Sequence, residues 1–111
     1  MQTLRTLNRL LKSLAPGTLV ALWWSDANND PRWMSDTETS EQLKSNSIGA
    51  KCFSVGVYVG QTKTAILLAM DRDYIGQSWN GQGSIPKALI TNLEILGSIS
   101  PKTGDYAGRI I

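Results

Sequence analysis

The chain has 111 residues, 41% hydrophobic and 18% charged, which suits one globular domain and excludes a doubly wound nucleotide-binding domain with a partner domain or a (β/α)₈ barrel. It has no histidine and a single cysteine, Cys52, so a Ser-His-Asp triad, a Cys-His pair, a His-ligated zinc and an intrachain disulfide are all impossible within one chain. The net charge of +2 is mild but uneven: residues 1–17 carry three bases and no acid, while residues 25–42 carry five acids against Arg32 alone, an asymmetry suited to steering a partner or joining subunits.

Residues 2–14 are expected to form a helix, with Leu4, Leu7, Leu11 and Leu14 on one stripe, Arg5, Arg9 and Lys12 on another, and Pro16-Gly17 as the stop. The basic residues break the apolar stretch that a signal peptide needs. Residues 18–25 are expected to be a strand, and Asp26 to Arg32 is turn chemistry. Ser35 and Glu38 have the capping-box spacing for a polar helix from about Asp36 to Lys44. Phe53, Val55, Val57 and Val59 alternate with small residues and Tyr58, the period of a strand. Gly56 and Gly60 suggest a bend, and Thr64 to Met70 completes a hairpin as an apolar strand expected to be covered on both faces. From this pattern Phe53, Val55, Val57, Val59, Ile66 and Leu68 are expected in the core. A glycine-rich connection fills 71–84, with Asn80-Gly81 suited to a tight turn. Pro86 is placed to start a helical turn, Thr91 to Leu96 form a last strand, and residues 98–111 read as a tail without periodicity.

This order suits a single mainly β domain over 1–97: a small SH3-like or Sm-like five-stranded barrel with an N-terminal α-helix within 1–15 and a C-terminal tail at 98–111. The leading helix and the closing turn-then-strand resemble the Sm-like arrangement in particular. The chain also resembles a group of small bacteriophage and prophage proteins with such a barrel. The likeness rests on Trp24-Ser25-Asp26-Ala27 followed by Trp33, on Ser54-Val55-Gly56, on Ile66-Leu67-Leu68-Ala69, and on Ile85-Pro86-Lys87 with Ile90, spanning about residues 19–97. It implies an origin and a fold, and it transfers no catalytic residue.

The aromatic residues carry the functional expectation. A tandem Trp23-Trp24 in a strand sends its side chains to opposite faces, so one is core and the other lies under a loop, in an interface or in a pocket. Segments 24–33 and 72–84 hold three of the four tryptophans. A ligand site is therefore expected where they meet, formed by Trp24, Trp33, Tyr74 and Trp79 with Arg32 and Arg72 as charged partners. The competing role for loop tryptophans is to anchor their loops. Asp71 and Asp73 lack a third ligand for a metal site, and the Gly76–Gly83 stretch lacks the pattern of a phosphate-binding loop.

The expected function is non-catalytic. The chain reads as a phage-type accessory protein that binds or sequesters a small ligand such as a nucleotide, or a host protein, as a homo-oligomer, without cofactor, metal or membrane, in the reducing cytoplasm. Two alternatives stay open: an Sm-like binder of single-stranded RNA or DNA, and a structural or protein-interaction component of a phage complex.

Overall fold

The N-terminal helix forms because its ends and its leucine stripe agree. In the computed structural model, which describes residues 1–26, 35–45 and 50–108, α1 spans Leu4–Ser13. Thr3 caps it by accepting a hydrogen bond from the Thr6 N–H. At its far end Gln61 Nε2 donates to the Leu11 carbonyl at 2.9 Å, satisfying one of the acceptors that a helix leaves open. Leu7 and Leu11 are buried, Leu10 and Leu14 partly so, and Leu4 at the start of the stripe is 74% exposed.

The strands follow as β1 (Thr18–Asp26), β2 (Ala50–Gln61), β3 (Ala65–Ala69), β4 (Asp71–Asp73), β5 (Ser78–Asn80), β6 (Gly83–Pro86), β7 (Ile90–Ile99) and β8 (Tyr106–Gly108). A polar helix α2 (Asp36–Ser45) lies between β1 and β2, capped by Ser35, whose Oγ accepts from the Glu38 N–H at 3.1 Å. A 3₁₀ turn, Lys87–Leu89, joins β6 to β7, so Pro86 closes a strand just before the turn.

Six strands form one antiparallel sheet in the order β6-β3-β2-β1-β7-β8, and β4 and β5 form a separate hairpin. The ladder ends at β6 on one side and β8 on the other. The chain is thus mainly β with a leading helix, and the five-stranded closure expected from the sequence is not among its strand pairings. The segment from 98 onward departs from the expected tail. β7 runs on to Ile99, and β8 pairs with it through Gly97–Gly108, Ser98–Ala107 and Ile99–Tyr106.

The core lies on one face of this sheet. Val20 and Leu22 from β1, Tyr58 from β2, Ile66 and Leu68 from β3, Ile85 from β6 and Ile90 and Leu93 from β7 meet Leu7 and Leu11 of α1 there. Register explains which side of β2 faces inward. Val20 pairs with Gly56, Leu22 with Ser54 and Trp24 with Cys52, so the small residues of β2 share the core face with the large residues of β1. Phe53 and Val55 therefore point outward, 59% and 51% exposed, which corrects the expected core. Val57, Ile66 and Leu68 are buried as expected, and Val59, at a register shift between Tyr58 and Gly60, is half-buried. β3 is interior to the sheet and covered on both faces only at its Ala69 end, since Ala69 is buried while Leu67 and Ala65, on the same face, are half-buried.

Two further ties hold the frame. Gln2 caps the free edge of β7: its Oε1 accepts from the Leu93 N–H at 2.8 Å and its Nε2 donates to the Leu93 carbonyl at 3.1 Å. Gly17, at φ +99°, donates to the Tyr58 carbonyl at 2.9 Å and accepts from the Ile99 N–H at 2.8 Å. A side chain there would collide with the Ile99 carbonyl oxygen.

Candidate functional site

The β4–β5 hairpin assembles half of the expected site. Arg72 and Trp79 are direct cross-strand partners, and the Arg72 guanidinium carbon lies 4.6 Å from the centroid of the Trp79 ring. That is cation–π geometry, which holds both side chains in one place. Arg72 Nε donates to the Pro101 carbonyl at 3.0 Å, and its Nη atoms make no hydrogen bond among the described residues. The hairpin's bend is set by Asp73, whose Oδ1 accepts from the N–H groups of Ile75 and Gly76.

Tyr74 extends from this bend to the β7–β8 turn. Gly104, at φ +75°, lies so close that an added Cβ would sit 3.0 Å from the tyrosine ring. Arg72, Tyr74 and Trp79, together with Val57, Ile99 and Pro101, enclose a cavity of about 230 Å³ on the outer face of the sheet. Val57, Met70, Ile99 and Pro101 give it an apolar lining, Tyr74 and Trp79 an aromatic one, and Arg72 and Asp71 bring one cation and one carboxylate to the same lining. Known ligand pockets run from about 300 Å³ upward, so this space takes one planar ring and leaves the rest of a ligand outside.

Trp24 is not in this cavity. Its Nε1 donates to Ser54 Oγ at 3.0 Å, and its ring is packed against the core. It lines a neighbouring depression with Ser54, Gly56, Leu68 and Gly83, and only Met70 belongs to both spaces. Arg32 and Trp33 lie outside the described residues, as does the 27–34 loop that was expected to meet the hairpin.

Asp71 and Asp73 are both exposed, Asp73 is committed to its turn, and no group of three ligating side chains occurs among the described residues. The glycine-rich stretch is mostly hairpin, with Gly76 bound to Asp73. No helix among the described residues is long and apolar enough to cross a membrane.

Sequence reasoning missed two things. Ile99, Pro101 and Gly104 of the presumed tail complete the cavity. Trp23, not Trp24, is the exposed member of the tandem pair: it is 38% exposed and its ring lies 5.3 Å from that of Phe53, tilted by 50°. The signal was present in the small residues that alternate with Phe53 and Val55, because small residues leave room for the large partners opposite. The chain matches no family model, no curated protein and no solved structure.

Proposed function

We propose that this chain is a non-catalytic binding protein of the small SH3/Sm-like barrel type. In this reading the Arg72–Trp79 cavity takes a planar ring that carries negative charge, such as a nucleotide, or an aromatic side chain of a host protein. The observation that carries the reading is Arg72 stacked on Trp79 beside Tyr74, with unengaged Nη donors, around a cavity the size of one ring. The ring would stack on the aromatic wall and the anion would meet the guanidinium. Support for the barrel type comes from the order of the five longer-range strands, β7-β1-β2-β3-β6, and from the 3₁₀ turn before the last of them. In this reading the resemblance of its short motifs to those of small phage proteins gives it an accessory role.

The protein works as a homo-oligomer in this reading, because β6 and β8 leave ladder edges that are open among the described residues and that a second copy would cover. Light scattering at micromolar concentration should give a multiple of 12.1 kDa, and the monomer mass would remove this part. For the site, nucleoside monophosphates are titrated while the Trp79 indole N–H resonance is followed. The shift should saturate in the wild type and vanish in Arg72→Gln, with the melting temperature little changed. If no nucleotide or aromatic peptide moves that resonance, the hairpin is a loop anchor only.

A further inference from the structure

The outer face of the sheet carries a second aromatic group, away from the Arg72–Trp79 cavity. Pairing along β1 fixes its neighbours. Trp23 stands opposite Phe53 on β2 and Asn92 on β7, and the next row joins Ala21 to Val55 and to Glu94. The exposed parts of Trp23, Phe53 and Val55 together leave roughly 300 Å² of apolar surface in water, a size at which a patch on a monomer is commonly functional. The geometry points to a second copy of this chain as the occupant, docked face to face about a two-fold axis that passes through Trp23. The inference rests on the homo-oligomer reading above and gives the copies a surface separate from the β6 and β8 edges.

Charge placement selects that occupant. Lys51 lies on β2 one row beyond Phe53, opposite Ser25, and Glu94 lies on β7 one row beyond Asn92 in the other direction. Both are exposed. With strands about 4.8 Å apart and successive same-face residues about 6.8 Å apart, each is about 8 Å from Trp23, on opposite sides of it. A cation and an anion set symmetrically about a central ring make the patch complementary to itself. Consider an axis lying between the two faces, through Trp23 and square to the Lys51–Glu94 diagonal. A half-turn about it sets Lys51 of each copy over the partner's Glu94 and brings the two Trp23 rings together. The same half-turn carries Phe53 toward the partner's Ala21, whose small side chain leaves room for a ring between Val55 and Glu94. Lys51 is in no ion pair among the described residues. A carboxylate takes more than one donor, so Glu94 accepts the partner's lysine alongside its own intrachain contact. A second copy has these charges in the required order by symmetry, which an unrelated surface does not. The apolar side chains of two copies bury roughly 600 Å² against about 1,600 Å² for a standard interface, so the dimer is a weak one that forms as concentration rises.

The test is sedimentation velocity of the full chain from about 1 to 500 μM. The wild type should move toward twice 12.1 kDa as concentration rises. Phe53→Asp should weaken the dimer by more than about 100-fold, because each copy loses an aromatic anchor and buries a charge. Lys51→Glu and Glu94→Lys should each weaken it by about 10-fold. An equimolar mixture of these two single variants should recover the wild-type affinity, since every mixed dimer holds two opposite-charge contacts. A Lys51–Glu94 contact within one chain would be restored only in the double variant, never by mixing. Lys63→Gln, an exposed cation elsewhere, should leave association unchanged. Melting temperatures close to wild type verify that the variants fold. A mass that stays at 12.1 kDa throughout overturns this face and the homo-oligomer reading together. A larger mass that is indifferent to Phe53→Asp and to both charge reversals overturns the face alone and leaves assembly to the strand edges. Failure of the mixture to recover overturns the two-fold arrangement.

Discussion

The outer face of the sheet has two halves that differ in what lies over them. At one end Val57 and Ile99 are roofed by the β4–β5 hairpin and the β7–β8 turn, with Arg72 joining the two through Trp79 and the Pro101 carbonyl. At the other end Trp23, Phe53 and Val55 have no such cover among the described residues. Both halves carry tryptophan and a nearby cation, yet in one the cation fastens a roof and in the other Lys51 stands beside an open surface. Residue type does not separate an anchor from a binding platform. What separates them is whether another chain segment has already used the ring and the charge.

Changes to the core, which both halves share, should have the largest effect. Leu22→Ala removes a fully buried side chain and should cost about 2–5 kcal/mol in chemical denaturation. A loss below about 1 kcal/mol would mean that the core lies on the other face. Gly17→Ala should follow at roughly 2 kcal/mol or more. It combines a left-handed backbone with a collision at the Ile99 carbonyl, and it would loosen the β7 end that supports the roofed half.

Trp79→Ala should come next, at about 1–2 kcal/mol from lost cation–π attraction and partial burial. It should also speed hydrogen exchange at the Ser100 amide, which is bonded to the Asp105 carbonyl within the roofing turn. Unchanged exchange there would show that the hairpin does not hold the turn. Phe53→Ala should have the smallest effect on the isolated chain, below about 1 kcal/mol, because its ring is mostly in solvent. A loss of several kcal/mol that depends on protein concentration would instead place Phe53 in a subunit interface. That would close the open half.

Part of this was legible in the sequence for reasons that are local. The leucine spacing, the Thr3 and Ser35 caps and Pro16-Gly17 delimit α1 and start α2, because capping and periodicity act within a few residues. The alternation of residues 52–59 likewise announced β2. The Arg72, Tyr74 and Trp79 group was within reach because its members sit on one hairpin. Trp24 was misplaced because a tandem pair states that the two rings diverge without stating which one turns inward.

The sequence by itself determined a mainly β chain with an amphipathic basic helix in front, exclusion of histidine chemistry, and an aromatic cluster in the 72–84 segment. Those follow from composition and from periods of two and 3.6 residues. Only the tertiary structure decided that Phe53 and Val55 face outward, that the segment after Ser98 adds strand β8 and closes the cavity, and that Trp23 is the exposed tryptophan. The physical reason is register. Which face of β2 is buried depends on its pairing with β1, where Leu22 and Val20 take the space that Ser54 and Gly56 leave free, and residues some thirty positions apart set that pairing.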